Sequence, residues 1–116
     1  MRLLFATIAA LGLMASAALA DPMAPFYDNT VEVTGADGAI RSVMINADGT
    51  YSQVAGDATV DGTWEMKGDA EACFSSPETA ETGPYCVDAV ERAVGDTWDL
   101  TAPDGSAESA TLVAGR

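Results

Sequence analysis

Val31 and Val33 alternate with Thr30, Glu32 and Thr34, and Trp98, Leu100 and Ala102 alternate with Thr97, Asp99 and Thr101. A period of two sends successive side chains to opposite faces of a strand, so each run predicts a half-buried strand. In a third run Val60, Trp64 and Met66 oppose Asp61, Thr63 and Glu65. Gly62 interrupts that alternation, and Asp61-Gly62 reads as a turn or a bulge. Ile40 to Ile45 is apolar on both faces and predicts a central or doubly covered strand.

Turn signals separate these runs. Asp-Gly pairs stand at 37–38, 48–49, 61–62 and 104–105, with weaker Gly-Asp signals at 68–69 and 95–96. Asp-Gly is the chemistry that a two-residue hairpin turn demands. Short, evenly punctuated strands predict an all-β fold, a single small antiparallel meander or barrel-like domain of about eight short strands. Val87, Val90 and Val94 sit at helical spacing ahead of Gly95, so a short helix over Val87–Ala93 competes with a strand there. An internal echo favours the strand: Gly49-Thr50-Tyr51 leads to Thr63-Trp64, and Gly83-Pro84-Tyr85 leads to Thr97-Trp98. Two hairpin units of one design would then pack side by side. Tyr51, Trp64, Tyr85 and Trp98 become the core aromatics, with both indoles turned inward.

The ends and the charge place the molecule. Residues 1–20 read as a secretory signal peptide: a basic start, an apolar stretch over Leu3–Met14, and Ala18-Leu19-Ala20 as the cleavage site. Asp21 follows the cut, where a lipoprotein would carry cysteine. The expected product, Asp21 to Arg116, is one periplasmic or secreted domain whose first residues, Asp21 to Asp28, form a flexible leader. Arg41, Lys67, Arg92 and Arg116 are its only basic residues against 18 acids. Such a surface repels nucleic acid and anionic lipid and favours a soluble monomer.

Cys73 and Cys86 are the two cysteines of the chain. In an exported protein they predict a disulfide, on the solvent side of their strands or at the strand ends. The bridge would fasten the base of the loop Ser75–Pro84. That polar loop, carrying Ser75, Ser76, Pro77, Glu78, Thr79, Glu81 and Pro84, is the expected mobile segment and the candidate partner contact.

Little catalytic chemistry remains. The chain has no histidine, which removes the familiar triads and imidazole metal sites. No phosphate-binding or nucleophile motif occurs. Asn46-Ala47-Asp48-Gly49 and Gly35-Ala36-Asp37-Gly38 resemble fragments of calcium loops, but hairpin turns explain them more simply. A carboxylate pair suffices for glycoside hydrolysis, and so many acids make any such pair uninformative. No catalytic residue, cofactor or metal ligand is assigned.

At Gly62-Thr63-Trp64, Cys73-Phe74 and Tyr85-Cys86 the chain resembles small exported proteobacterial proteins of no assigned function. A Gly-x-Trp strand followed by a cysteine strand is also similar to the compact barrels of bacterial protease inhibitors and of lipocalin-type binders. The first likeness implies an inhibitory N-terminal trunk at Asp21–Asp28, the second an interior cavity. A chain of this length is short for a barrel wide enough to hold a ligand. The expected function is therefore non-catalytic binding of a protein or small-molecule partner. Inhibition of an exported hydrolase is the alternative, and an enzyme with paired carboxylates the weaker third.

Overall fold

A computed structural model describes residues 21–116, and the signal-peptide reading falls outside them. Among the described residues eight strands form one antiparallel sheet: β1 Thr30–Thr34, β2 Ile40–Ile45, β3 Thr50–Ala55, β4 Ala58–Lys67, β5 Glu71–Ser75, β6 Tyr85–Asp88, β7 Thr97–Thr101 and β8 Ala107–Val113. Their spatial order is β6-β5-β4-β3-β2-β1-β8-β7, so the sheet curls into a nearly closed barrel with β6 and β7 as its two edges. The all-β expectation holds. Tyr85 to Asp88 is strand rather than helix, and Ala89–Asp96 connects the edges without regular structure.

Register assigns every face. Val31 and Val33 pair with Leu112 and Ala110 of β8, and on their other side with Val43 and Arg41 of β2. The inward set continues through Ile45 and Tyr51, Trp64 and Phe74, and Trp98 opposite Ala110. Val31, Val33, Ile45, Tyr51, Ala72, Ala110 and Leu112 are buried, and Trp64 and Trp98 pack half-buried against them. Both indoles turn inward as predicted. Ile40 to Ile45 is not covered on both sides: Arg41, Val43 and Ile45 point in, while Ile40 at the strand start is 56% exposed.

Three hairpins share one turn, and it is longer by a residue than the Asp-Gly pairs predict. In Gly35–Ala39, Asn46–Thr50 and Ala102–Ser106 the glycine N–H donates back three residues, at 2.9, 3.3 and 2.8 Å. Gly38, Gly49 and Gly105 have φ of 86, 91 and 90°, and among the described residues only glycine takes positive φ. A type I′ turn needs positive φ at both central positions, and the aspartates here keep negative φ, as every described non-glycine residue does. Instead the glycine follows a type I turn, and the aspartate carboxylate accepts the N–H two residues on, at 3.0 Å in all three. Hydrogen bonds from the side chains and N–H groups of Thr50 and Ser106 hold Asp48 and Asp104 below the usual carboxylate range.

Asp61-Gly62 is neither turn nor bulge. It lies inside β4, with Gly62 opposite Tyr51 in unbroken register. The reason for glycine is space: a Cβ there would collide with the Ser75 carbonyl oxygen and lie 2.7 Å from the Tyr51 ring. The internal echo also fails as architecture. Tyr51 and Trp64 sit on adjacent strands, whereas Tyr85 and Trp98 sit on the opposite edges. Gly95 donates to the Leu112 carbonyl at 2.8 Å and Leu112 to that of Asp96 at 3.0 Å, which commits β7 to β8 instead.

The expected flexible leader is a plug. Ala24–Phe26 forms a 3₁₀ turn with Met23 and Phe26 buried at 3% and 6% exposure. Two apolar side chains in so short a segment are worth more inside the barrel than in water. Phe26 meets Trp98 edge to face at 6.2 Å, and Tyr27 lies 6.2 Å from Trp64. Arg116 locks the plug from the far end of the chain, donating to the carbonyls of Phe26 (3.1 Å), Asn29 (2.9 Å) and Ile45.

Two outcomes are expected. Gly62→Ala should lower stability by about 2 kcal/mol or more through overpacking, read from urea unfolding. Tyr27 donates to Asp21 at 2.7 Å, and burial with that contact pushes its phenol up to about 12. The neutral phenol's contribution is therefore complete below the unfolded value of about 10 and is lost as pH rises through the folded value. Tyr27→Phe should remove the step near 12 from the phenolate absorbance titration.

Candidate binding cavity

The barrel is hollow. A cavity of about 500 Å³ runs inside it, contrary to the expectation that so short a chain leaves no room for a ligand. Its walls are the inward positions of the strands: Val31, Val33, Val43, Ile45, Tyr51, Phe74, Val87, Trp98 and Leu100. Met23 and Phe26 of the plug floor it. This is the composition of a small-molecule site, mostly apolar with a few placed polar groups.

The polar groups gather towards the other end. Arg41 Nη1 and Nη2 donate to Glu108 Oε2 and Oε1 at 2.8 and 3.0 Å, a two-point pair. Its side chains are 24% and 8% exposed. Arg41 Nε is buried without a partner. The hydrogen bond to Glu108 raises the Arg41 pKa further against the opposing effect of burial, so the guanidinium is charged at any relevant pH. Gln53 and Tyr85 complete this end, and burial, reinforced by the Glu108 charge, raises the Tyr85 phenol.

Tyr85 also spans the seam. No ladder joins β6 to β7 among the described residues, but Tyr85 Oη donates to the Thr101 carbonyl at 2.6 Å. Lower down the seam, Arg92 of the connecting segment sets its guanidinium 4.5 Å over the Trp98 ring, adding a cation–π contact. Asp88, Val90 and Arg92 line the cavity there, so it reaches the surface beside the seam.

The predicted loop becomes the rim. Ser75 ends β5 and Ser76 caps a 3₁₀ turn over Pro77–Thr79. Ser76 and Thr79 exchange hydrogen bonds at 3.0 and 3.1 Å, and Gly83 donates to Thr79 at 2.8 Å. Of the loop residues singled out by sequence, Ser76, Glu78 and Thr79 line the cavity. Pro77, Glu81 and Pro84 are exposed away from it. Cys73 and Cys86 form the disulfide, opposite each other on β5 and β6. Ala72 and Phe74 face inward beside Cys73, so the bridge lies on the outer face, as predicted. Cys73 is nevertheless 7% exposed, covered by its own bridge and the flanking strands.

Of the four core aromatics, Tyr51 is buried, Trp64 packs in the wall, and Tyr85 and Trp98 line the cavity. Sequence reasoning missed Arg41, Gln53, Glu108 and Arg92. For two of them a signal was present: Arg41 shares its period-two face with Val43 and Ile45, and Glu108 shares one with Ala110 and Leu112. Opposite charges, each on an apolar face, mark an internal pair. No family model matches the chain, and neither does any curated protein or solved structure.

The seam gives a direct expectation. Tyr85→Phe keeps the ring but loses the β6–β7 bridge, at a cost of about 1 kcal/mol. Limited proteolysis within Ala89–Asp96 should accelerate several-fold while the far-ultraviolet circular dichroism is unchanged.

Proposed function

We propose that this is an exported, non-catalytic binding domain that takes a small, largely apolar ligand inside the barrel. The observation that carries the reading is the cavity of about 500 Å³, walled by alternate side chains and polar at one end. A well-packed interior leaves no such apolar recess, and one that stays open to water forfeits packing contacts that a ligand would restore. Within a short domain stapled by one disulfide, that cost is understandable if something fills the space. The Ser75–Pro84 loop then acts as the rim of the site, so the contact expected there is with a ligand at the mouth.

Catalysis gains no support from this geometry. Glu108, the most enclosed carboxylate of the cavity, spends both oxygens on Arg41 and so is not held as the free acid or base that glycoside chemistry needs. The inhibitor alternative needs a free trunk, and Met23 and Phe26 of that segment are packed into the floor.

N-phenyl-1-naphthylamine, an apolar dye that brightens out of water, is the probe. It should bind saturably with one site per chain. Val43→Trp, which fills the cavity from the middle of β2, should weaken that binding by about tenfold or more, with folding checked by circular dichroism. Dye binding that is absent in the native protein, or undiminished in a folded variant, would remove this reading.

A further inference from the structure

Resting on that reading, we propose that the ligand is a neutral amphiphile, its apolar body in the barrel and one uncharged head group, a hydroxyl or carboxamide, at the Arg41–Glu108 pair. The case begins with what the pair does for the fold. Taking two charges out of water costs several kcal/mol per ion, and apolar residues of similar size often serve stability equally well or better. A partly buried pair facing an apolar interior, its side chains 24% and 8% exposed, bears part of that cost and is poorly explained by stability alone. Its position at the polar end of an otherwise apolar cavity gives it another use.

The geometry then selects the charge of the head group. Both terminal nitrogens of Arg41 face both oxygens of Glu108, so the pair presents no net charge to a ligand. An anionic head would have to displace Glu108, whose side chain is 8% exposed, and would also meet Glu78 at the rim. A cationic head would meet Arg41 at once. What the pair retains is hydrogen-bonding capacity: further N–H groups on the guanidinium and further lone pairs on the carboxylate. Arg41 Nε, buried and unpartnered, leaves this cluster one acceptor short. Gln53 adds a carboxamide on the same wall. A head that both accepts and donates, and carries no charge, matches that inventory.

The test is displacement of N-phenyl-1-naphthylamine at neutral pH by 1-decanol, decanamide, decanoate and decyltrimethylammonium, each below its micelle threshold. In the native protein the two neutral compounds should compete about tenfold better than either ion. Glu108→Gln leaves the Arg41 charge without its counter-ion, so decanoate should gain about tenfold relative to decanol and decyltrimethylammonium should lose. Should that variant misfold, Arg41→Met combined with Glu108→Leu replaces the pair by apolar volume, and the preference for decanamide over decane should fall about tenfold. Decanoate equal to or better than decanol in the native protein would overturn the proposal while leaving the cavity reading intact. So would a ranking unmoved by the folded variants. Failure of the native protein to bind the dye at all would remove both readings together.

Discussion

The antiparallel pairing of β1 with β8 is the constraint on which the rest of this structure depends. It joins Thr30 to Val113 and Thr34 to Ser109, so the last strand lies beside the first. Hydrophobic pairs lock its register: Val31 against Leu112 and Val33 against Ala110, where a slip of one residue would turn both sets to solvent. With β8 in place, a meander becomes a cylinder. The same pairing carries Glu108 across to Arg41 and delivers Arg116 to the plug. It also leaves β6 and β7 facing each other as the two unladdered edges.

Closure, plug and cavity form one system. The barrel is stopped at the end where β1 begins, because Met23 and Phe26 enter there and Arg116 holds their backbone. It is polar at the other, where the disulfide-based loop and the ion pair stand. Bare edges are ordinarily an invitation to pair with another chain. Here the edges are short, turned towards each other, and bridged by Tyr85 to Thr101. The exposed, outward Asp99 of β7 adds a further obstacle to self-association, in keeping with the charge of −13 for the whole chain.

Much of the fold was legible because period-two alternation reports directly on strand faces. The inward Trp64 and Trp98 and the outer-face position of the Cys73–Cys86 bridge followed from it, while the bridge itself followed from the export reading and the cysteine count. What escaped depended on information that a local window lacks. Gly62 looks like half of a turn signal, yet it is glycine because Tyr51 lies over it. Asp21–Asp28 looks like a flexible leader because its two buried side chains, Met23 and Phe26, stand apart across Ala24-Pro25 with no strand or helix period. The echo of Tyr-to-Trp segments is real in sequence, but strand β7 found its partner in β8 rather than β6. Above all, the cavity that the lipocalin-type likeness implied was set aside on chain length, since hollowness is set by how far the sheet curls and not by any single strand. Arg41 and Glu108 were the available clue, and neither is informative until the pairing of β1 with β8 brings them together.

The central claim is that the inner face of this sheet, and not its outer face or its edges, is the binding surface. Methyl nuclear magnetic resonance tests it most directly, by titrating N-phenyl-1-naphthylamine into the labelled protein. Signals of the inward Val31, Val33, Val43, Ile45 and Leu100 methyls should move together along one saturating curve, while those of outward Val54 and Val113 stay still. Shifts confined to Val54 and Val113, or to the exposed Val94 of the connecting segment, would contradict the account.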